Sequence, residues 1–254
     1  MEGGTKEVEF KDMLNTITLG DSYKLIKDIP DNSIDLIITD PPYQLETRGA
    51  GFHKKRDYYD IIHDKGLAKS IDIDILKDFE RIMKNTNIYI FCNKNQLPMY
   101  LEFYKNKNFD VLVWNKTNPI PTVNNKYLSD LEYIIFARAD KVKMYNTYET
   151  SSKLFQTIVN KTDKEKYNHP TIKPIQIIKT LIKNSSKKGD IVLDCFSGSG
   201  TTCVAAKELE RRFIGIEIDP EYHKISIDRL NGILANGQMS FNAIIRKEQM
   251  KSDN

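Results

Sequence analysis

The chain has 254 residues, enough for one sizeable α/β domain, and its formal net charge of +3 is too small by itself to indicate a nucleic-acid partner. Cys92, Cys195 and Cys203 have the spacing of neither a disulfide framework nor a metal site, so we expect reduced core thiols and no bound metal. No apolar stretch approaches membrane-spanning length and the amino terminus lacks a signal-peptide pattern, so we expect a soluble cytoplasmic protein without membrane contact.

Hydrophobic periodicity predicts strands that alternate with helices. The predicted strands cover 14–19, 34–39, 87–92, 109–115, 131–138, 190–195 and 212–217. The predicted helices cover 22–28, 72–84, 95–106, 174–185, 201–210 and 220–235. Residues 1–12 and the tail from Gly237 are polar, and we expect them to be frayed or solvated. The alternation predicts an α/β fold: a mostly parallel sheet with helices on both faces.

The second predicted strand ends in the tetrapeptide Asp40-Pro41-Pro42-Tyr43. Each proline fixes its own φ at about −65° and lacks a backbone N–H, so the carbonyl before it faces outward. A planar amino group can donate to Asp40 and the Pro41 carbonyl and lie against the Tyr43 ring, which predicts a site for an aromatic amine. A proline-rich turn after a strand is the common alternative, and the tetrapeptide alone leaves both open.

Two polar segments lack a clear periodicity. Residues 44–70 are rich in Gly, Tyr and charge and are too long for an ordinary connection, so we expect a mobile loop beside the site. Five residues of this loop predict phosphate contacts, with a solvated surface as the alternative: Arg48, His53, Lys54, Lys55 and Arg56. Residues 139–168 form a second polar segment, rich in Tyr and Lys.

A strand, a glycine turn, a helix and a second strand follow one another from Asp190 to Asp219. The turn has the sequence Phe-Ser-Gly-Ser-Gly at 196–200, and the second strand ends at Glu217. This order is the nucleoside-binding half of a doubly wound sheet, in which Glu217 can accept hydrogen bonds from ribose hydroxyls. The dinucleotide pattern is incomplete because Cys203 stands at its third glycine, and the Gly-Lys-Ser/Thr motif of triphosphate sites is missing.

The glycine loop, residues 196–200, resembles motif I of S-adenosylmethionine-dependent methyltransferases. Together with Asp-Pro-Pro-Tyr, it is similar to the amino-methyltransferases of DNA, which act on adenine N6 or cytosine N4. The tetrapeptide precedes the glycine loop, as in the circularly permuted β class of that family. Three further segments resemble family elements: 20–22 (Gly-Asp-Ser), 113–119 (Val-Trp-Asn-Lys-Thr-Asn-Pro) and 169–174 (His-Pro-Thr-Ile-Lys-Pro). The resemblance covers about residues 14–230.

The resemblance implies one methyltransferase domain over residues 1–254, with a Rossmann-like sheet of seven strands. It implies a reversed terminal hairpin, here 109–115 with 131–138, and a short target-recognition insertion at 139–168. It also implies S-adenosyl-L-methionine as cofactor and double-stranded DNA as partner, in a bacterial or phage-encoded protein. Many β-class relatives are homodimers, so we expect a homodimer.

The resemblance also implies roles for individual residues. The expected cofactor-binding residues are Asp21, Ser22, Asp40, His169, Lys173, Asp194, Phe196, Ser197, Gly198, Ser199, Gly200, Thr201, Thr202, Glu217 and Ile218. Asp194 is expected to accept the methionine ammonium, and Asp21 to contact the adenine. Helix capping is the alternative for Asp21 and for the hydroxyl residues near Thr201, and a surface position is the alternative for Lys173.

The chemistry assigns Asp40, Pro41, Pro42 and Tyr43 to catalysis. Asp40 and the Pro41 carbonyl would accept the two N–H groups of the target amine, while Tyr43 stacks on a base flipped from the duplex. In the family that the chain resembles, Asp rather than Ser before Pro-Pro-Tyr favours adenine N6. The alternatives are cytosine N4, a more distant RNA or protein substrate, and a DNA-binding module without turnover. No cysteine follows a proline, which argues against the covalent route of cytosine carbon-5 enzymes.

Overall fold

A computed structural model describes residues 9–42, 71–119, 121, 127–159, 164, 166–167 and 172–240. The predicted loop at 44–70 lies outside these residues, as does the tail beyond 240. The predicted insertion at 139–168 is described through 159 and at three later positions.

The described residues form an eight-stranded sheet with the order β1-β8-β7-β2-β3-β5-β4-β6. The strands are β1 Thr16–Leu19, β2 Leu36–Thr39, β3 Asn87–Cys92, β4 Asn108–Lys116, β5 Leu131–Arg138, β6 Leu154–Thr157, β7 Ile191–Asp194 and β8 Arg212–Glu217. All seven predicted strands are present, but the expected number of seven is wrong. β6 is the additional strand: it lies in the predicted insertion and pairs in parallel with β4 at the edge of the sheet.

The six predicted helices are present, with differences at the termini, and a short helix at Phe10–Met13 is additional. They are α1 Phe10–Met13, α2 Ser22–Leu25 with a 3₁₀ turn at Ile26–Asp28, α3 Asp74–Ile82, α4 Leu97–Tyr104, α5 Ile175–Ser185, α6 Thr201–Glu208 and α7 Pro220–Leu230. The amino-terminal segment is not wholly frayed, because α1 buries Met13. The last helix is shorter than predicted: it ends at Leu230, and Gly232 follows with a φ of +70°.

One strand of the sheet runs against the others. β5 is antiparallel to β3 on one side and to β4 on the other, whereas the remaining neighbouring pairs are parallel. The expected hairpin of the fourth and fifth strands is therefore confirmed, but its terminal position is wrong, because β6 pairs with β4 and forms the edge of the sheet. Because β5 is reversed, its amino end lies at the same sheet edge as the carboxyl ends of the parallel strands.

Helices cover both faces of the sheet and enclose two apolar cores. Phe79 of α3 and Tyr100 of α4 pack on one face, and Leu181 of α5 and Ala205 of α6 pack on the other. The four residues of β2 are all buried, as expected for a parallel strand covered on both sides. Each large apolar side chain removed from water in this way contributes about 1.5–3 kcal/mol.

The chain reverses its direction of winding between β7 and β2. β7 is followed by α6 and then β8 on one side, whereas β2 is followed along the chain by β3 on the other. Such a reversal opens a crevice at the carboxyl ends of the two central strands, where open α/β sheets bind ligands. Among the described helices, none has the length and hydropathy needed to cross a membrane.

Candidate active site

The ends of β2 and β7 lie side by side. The two strands pair in parallel with Leu36 opposite Val192, and the buried Thr39 hydroxyl donates to Asp194 Oδ1 over 3.1 Å. Asp40 therefore lies next to Asp194 in the crevice between the two halves of the sheet. The sequence motifs are about 150 residues apart, and parallel pairing alone brings them together.

Asp194 is a buried carboxylate with hydroxyl and amide partners. Its Oδ1 also accepts the Phe196 N–H over 3.1 Å. Burial raises the pKa of Asp194 to about 7, although hydrogen bonds from Thr202, the Phe196 N–H and Thr39 oppose the rise. The negative charge of Asp40 raises it further. A cationic ligand at this position would stabilise the charged form.

The glycine loop turns sharply from β7 into α6. The Ser197 hydroxyl donates to the Asp194 carbonyl over 3.0 Å, and the Gly200 N–H donates to the Ser197 carbonyl over 2.7 Å. Gly198 and Gly200 have φ values of +49° and +73°, a region that side chains with Cβ rarely adopt. The loop thus needs both glycines to bring the chain to the start of α6.

Gly215 in β8 is a residue of the site that sequence reasoning missed. A Cβ on Gly215 would lie 2.6 Å from Ser197 Oγ and 2.8 Å from Cys203 Sγ. The third glycine of the dinucleotide pattern normally allows close packing of helix and strand. Here Cys203 occupies that position, and the missing side chain of Gly215 provides the space. A glycine inside an apolar strand was the available signal.

Glu217 is buried at the end of β8, one strand away from Asp194. Its Oε2 accepts the Gly198 N–H over 2.7 Å and its Oε1 accepts the Asp219 N–H over 2.8 Å. Burial raises the pKa of Glu217, while these backbone bonds oppose the rise. A carboxylate has about four acceptor positions, so Glu217 keeps capacity for a ribose hydroxyl. Ile218, the next residue, is 57% exposed and offers an apolar surface beside them.

Asp21 and Ser22 lie beside the end of β8, because the Gly20 N–H donates to the Glu217 carbonyl over 2.8 Å. Asp21 caps α2 by accepting the Tyr23 N–H over 3.0 Å, so the capping interpretation is correct. The buried Ser22 hydroxyl donates to the Cys195 carbonyl and ties α2 to the end of β7. The expected contact of Asp21 with adenine stays a prediction.

Lys173 connects Asp40 to a second acid, Glu132. The Lys173 ammonium lies 2.5 Å from Asp40 Oδ2 and 2.7 Å from Glu132 Oε1, and Lys116 lies 2.8 Å from Glu132 Oε2. The Lys173 side chain is only 11% exposed, unlike the surface position that we considered for it. Sequence reasoning missed Glu132, although an acid in the apolar strand 131–138 is an unusual feature.

The pKa values in this group show that its ions are paired. Burial alone would raise the pKa of Glu132, but the charges of Lys173 and Lys116 outweigh it and lower the pKa to about 2. Burial alone would lower the pKa of Lys173, but Asp40 and Glu132 raise it above its usual range. Glu132 and Lys173 are therefore both charged at neutral pH.

Gln96 holds the backbone of the proline segment. Pro41 is buried, and the buried Gln96 amide donates to the Pro42 carbonyl over 3.1 Å from the start of α4. Sequence reasoning missed Gln96 as well, because a glutamine near the start of a helix carries no specific signal. The bond orients the backbone that follows Asp40.

Arg229 of α7 supports the start of α6. One of its terminal nitrogens donates to the Ser199 carbonyl over 3.2 Å, to Ser199 Oγ over 3.0 Å and to Thr201 Oγ1 over 2.7 Å. The guanidinium is buried and lies 5.0 Å from the ring centroid of Tyr167. The two hydroxyls lie 3.2 Å apart, so one of them donates to the other, and the guanidinium adds a positive charge at the helix amino terminus.

Several predicted site residues lie outside the described part of the chain. They are Tyr43, Arg48, His53, Lys54, Lys55, Arg56 and His169. Their assigned roles in base stacking, phosphate contact and cofactor binding stay predictions. In the described ranges, no group of three or more His, Cys, Asp or Glu side chains could hold a metal ion.

Comparison with known sequences gives a consistent result. The model of the DNA methylase family named for N6 and N4 methyltransferases matches residues 34–228. The type II methyltransferase M.HinfI of Haemophilus influenzae is 32% identical over 253 residues, which cover 89% of this chain and 70% of that protein. The type II methyltransferase M2.MboI of Moraxella bovis is 30% identical, over 90% of this chain and 92% of its own length.

Solved structures share the fold. The M1.HpyAVI–SAM complex superposes with a TM-score of 0.64 and 28% sequence identity, over 85% of this chain and 98% of that one. The cytosine-N4-specific PvuII DNA methyltransferase also has a TM-score of 0.64, over 84% of this chain and 87% of that one. Its sequence identity is only 18%, so this second likeness shows the fold alone.

Proposed function

Because the chain belongs to the DNA methylase family of N6 and N4 methyltransferases, we propose that it transfers a methyl group from S-adenosylmethionine to the N6 amino group of adenine in double-stranded DNA. The observation that carries this proposal is the position of Asp40 beside Asp194 and the glycine loop, joined by the Thr39 bond. Asp before Pro-Pro-Tyr supports adenine over cytosine. The solved complex of a relative with SAM supports the cofactor.

The residues present fit this cofactor. The Asp194 carboxylate, buried and with a raised pKa, suits the methionine ammonium. Ser199 and Thr201 at the start of α6 suit the methionine carboxylate, because helix amino termini favour anions. Glu217 would accept the ribose hydroxyls, and Ile218 would cover the adenine ring. When bound, S-adenosylmethionine supplies an electrophilic methyl group.

Asp40 acts on the target nitrogen by accepting a hydrogen bond from its N–H group. The lone pair of an aromatic amine is delocalised into the ring, and positive charge grows on the nitrogen as the methyl group arrives. Acceptors already in place at Asp40 and the Pro41 carbonyl stabilise that charge and favour tetrahedral geometry. By analogy with preorganised oxyanion-hole donors, one such partner contributes about 3 kcal/mol, or roughly 10²–10³ in rate. Alignment of nitrogen, carbon and sulfur accounts for further acceleration.

The target base must leave the duplex, because a base stacked inside a duplex cannot reach Asp40. Enzymes that modify bases rotate the nucleotide out of the stack at a cost of a few kcal/mol. Tyr43 would replace part of the lost stacking, worth about 1–3 kcal/mol per base in single-strand binders. The basic residues from Arg48 to Arg56 would contact the phosphates on either side.

One assay tests the proposal: transfer of a labelled methyl group to unmodified DNA, followed by nucleoside analysis. We expect N6-methyladenine. The product N4-methylcytosine would establish the alternative enzyme of the same family. If no labelled product forms, the remaining interpretation is a DNA-binding module without turnover.

The Asp40→Ala variant tests the proposed role of Asp40. It should bind S-adenosylhomocysteine as the wild type does and lose roughly 10²–10³ in rate, because one preorganised acceptor is removed. Near-normal turnover by this variant would refute the role of Asp40.

We also propose that the chain forms a homodimer and works in the cytoplasm, as the family resemblance implies. Sedimentation at micromolar concentration tests the first point, and a sedimentation coefficient of a monomer would contradict it. Fractionation of the host cell tests the second.

A further inference from the structure

We propose that Glu132 is a positioning residue that neutralises the Lys173 ammonium, so that Lys173 can hold Asp40 without placing uncompensated positive charge beside the reacting atoms. This inference rests on the proposed function. Glu132 reaches the crevice from the amino end of the reversed strand β5, and it contacts Lys173 rather than the substrate.

The first argument is the geometry of the ion pairs. Lys173 lies between two carboxylates, at 2.5 Å from Asp40 and 2.7 Å from Glu132, and the second oxygen of Glu132 lies 2.8 Å from Lys116. Glu132 is 7% exposed and Asp40 is 27% exposed, so Glu132 is the more deeply buried of the two acids. The acid that faces the crevice is thus oriented by a lysine, and that lysine is held by a buried acid.

The second argument is the charge that the reaction brings in. A methyl group can reach a nitrogen held by Asp40 only if the sulfonium lies within a few bond lengths of that nitrogen. The positive charge then moves from sulfur to nitrogen, and throughout the step it stays close to the partner of Asp40, which is the Lys173 ammonium. At such separations, one unpaired charge in a partly buried site changes an equilibrium or a rate by roughly fivefold or more.

The third argument is the excess of lysine around Glu132. Lys116 and Lys173 both contact it, and Lys164 lies close enough for burial and the charges of those two lysines to lower its pKa. Without the carboxylate of Glu132, two partly buried ammonium groups would remain, with Asp40 as the one acid left in this chain of ion pairs. Glu132 therefore sets the electrostatic potential in which a cationic donor is bound.

Glu132→Gln tests the proposal, because it removes the charge and nearly preserves the shape. The affinity for S-adenosylmethionine, a cation at sulfur, is compared by calorimetry with the affinity for the neutral thioether S-adenosylhomocysteine. We expect the variant to bind the thioether within about twofold of the wild type and the sulfonium at least fivefold more weakly, with a single-turnover rate at least tenfold lower. Glu132→Asp, which keeps the charge, should recover the wild-type affinity ratio.

A second variant changes the local charge in the opposite direction, by removing a positive charge instead of a negative one. Lys116→Met removes a positive charge from the other oxygen of Glu132 at a side chain that is 23% exposed, so it is expected to fold even if Glu132→Gln does not. It should shift the affinity ratio towards the sulfonium. The matched control is Glu208→Gln, from the 2.6 Å Lys179–Glu208 pair that joins α5 to α6, and its ratio should stay unchanged.

Three outcomes would overturn the proposal. The first is an unchanged ratio of the two ligand affinities in Glu132→Gln. The others are a change of this ratio in Lys116→Met in the same direction as in Glu132→Gln, or any change of it in the Glu208→Gln control. The binding measurements need no turnover. Failure of the wild type to methylate DNA would refute the proposed function, whereas the affinity ratios decide the role of Glu132.

Discussion

Asp194 combines a central position in the crevice with a titration near neutral pH. Its pKa is raised to about 7, chiefly by burial. Because this folded-state value exceeds that of the unfolded chain, the group makes the fold less stable as pH rises from about 4 to about 7. The structure therefore keeps a costly charge at the place where the cofactor ammonium is expected.

We predict that the affinity for S-adenosylhomocysteine rises with pH through about 7. The ammonium binds the charged form of Asp194, so the affinity should fall about tenfold between pH 8 and pH 6 and level off above pH 8. Titration calorimetry in buffers of different ionisation enthalpy measures both the affinity and the proton release. Asp194→Asn should bind weakly with no such slope; an unchanged slope would assign the titration to another group.

Gly215 gives a second prediction for a single residue. In Gly215→Ala the new Cβ would crowd Ser197 Oγ at 2.6 Å and Cys203 Sγ at 2.8 Å. We expect a loss of about 1–3 kcal/mol in the free energy of unfolding, typical of overpacking, together with weaker cofactor binding because Ser197 shapes the glycine loop. Urea denaturation measures the first effect. Cys203→Ala should restore part of the stability in the double variant, and a purely additive double variant would contradict the contact.

At the scale of elements, the glycine loop depends on helix α7, which follows it in the chain. Arg229 donates from α7 to Ser199 and Thr201, and the contact lies just beyond the last residue matched by the family, 228. The loop is thus oriented by its own helix, by Gly215 in β8 and by a guanidinium from a third element.

We predict that Arg229→Met weakens the binding of S-adenosylhomocysteine about tenfold and leaves the affinity for 5′-methylthioadenosine unchanged. Arg229 orients the two hydroxyls that we expect to hold the methionine carboxylate, a group that 5′-methylthioadenosine lacks. Calorimetry with both ligands measures the difference. Arg229→Lys, which keeps a positive charge, should lose less affinity for S-adenosylhomocysteine than Arg229→Met. An equal loss for both ligands would mean that Arg229 supports the loop as a whole.

The elements also differ in how well periodicity predicts them. The four residues of β6 are alternately exposed and half-buried, so this strand lacks the buried apolar run that marks the central strands. It forms because β4 offers an unpaired edge, and Val113 pairs with Leu154. The edge of a sheet is a tertiary property, and a segment of local sequence does not contain it.

At the scale of the whole molecule, the cofactor is expected to join the two halves of the sheet. Its proposed ligands come from α2, β7, the glycine loop and β8, while Asp40 lies on β2 across the crevice. Binding to the folded state alone stabilises it by mass action.

We predict that S-adenosylhomocysteine at 100 times its Kd raises the free energy of unfolding by about 2.7 kcal/mol. For a domain of this size, that corresponds to roughly 5–10 °C in Tm. Differential scanning calorimetry measures the shift. Asp194→Asn should reduce it at the same ligand concentration, and an unshifted wild-type Tm would argue against a cofactor site in the crevice.

The sequence by itself determined the fold class, the family and most residues of the crevice. Strand patterns and the two motifs are local, and a carboxylate at the end of a buried strand indicates its own place at the sheet edge. The positions of Gly198, Asp194 and Glu217 at this edge therefore follow from the sequence, and the structure has all three there.

Only the tertiary structure decided which distant residues support that crevice. The contact of Lys173 with Glu132, the bonds of Arg229 to the glycine loop and the space that Gly215 leaves for Cys203 join separate elements. Such contacts follow from the order and direction of the strands. The reversal of β5 brings Glu132 to the same edge as Asp40, because an antiparallel strand presents its amino end where its parallel neighbours end.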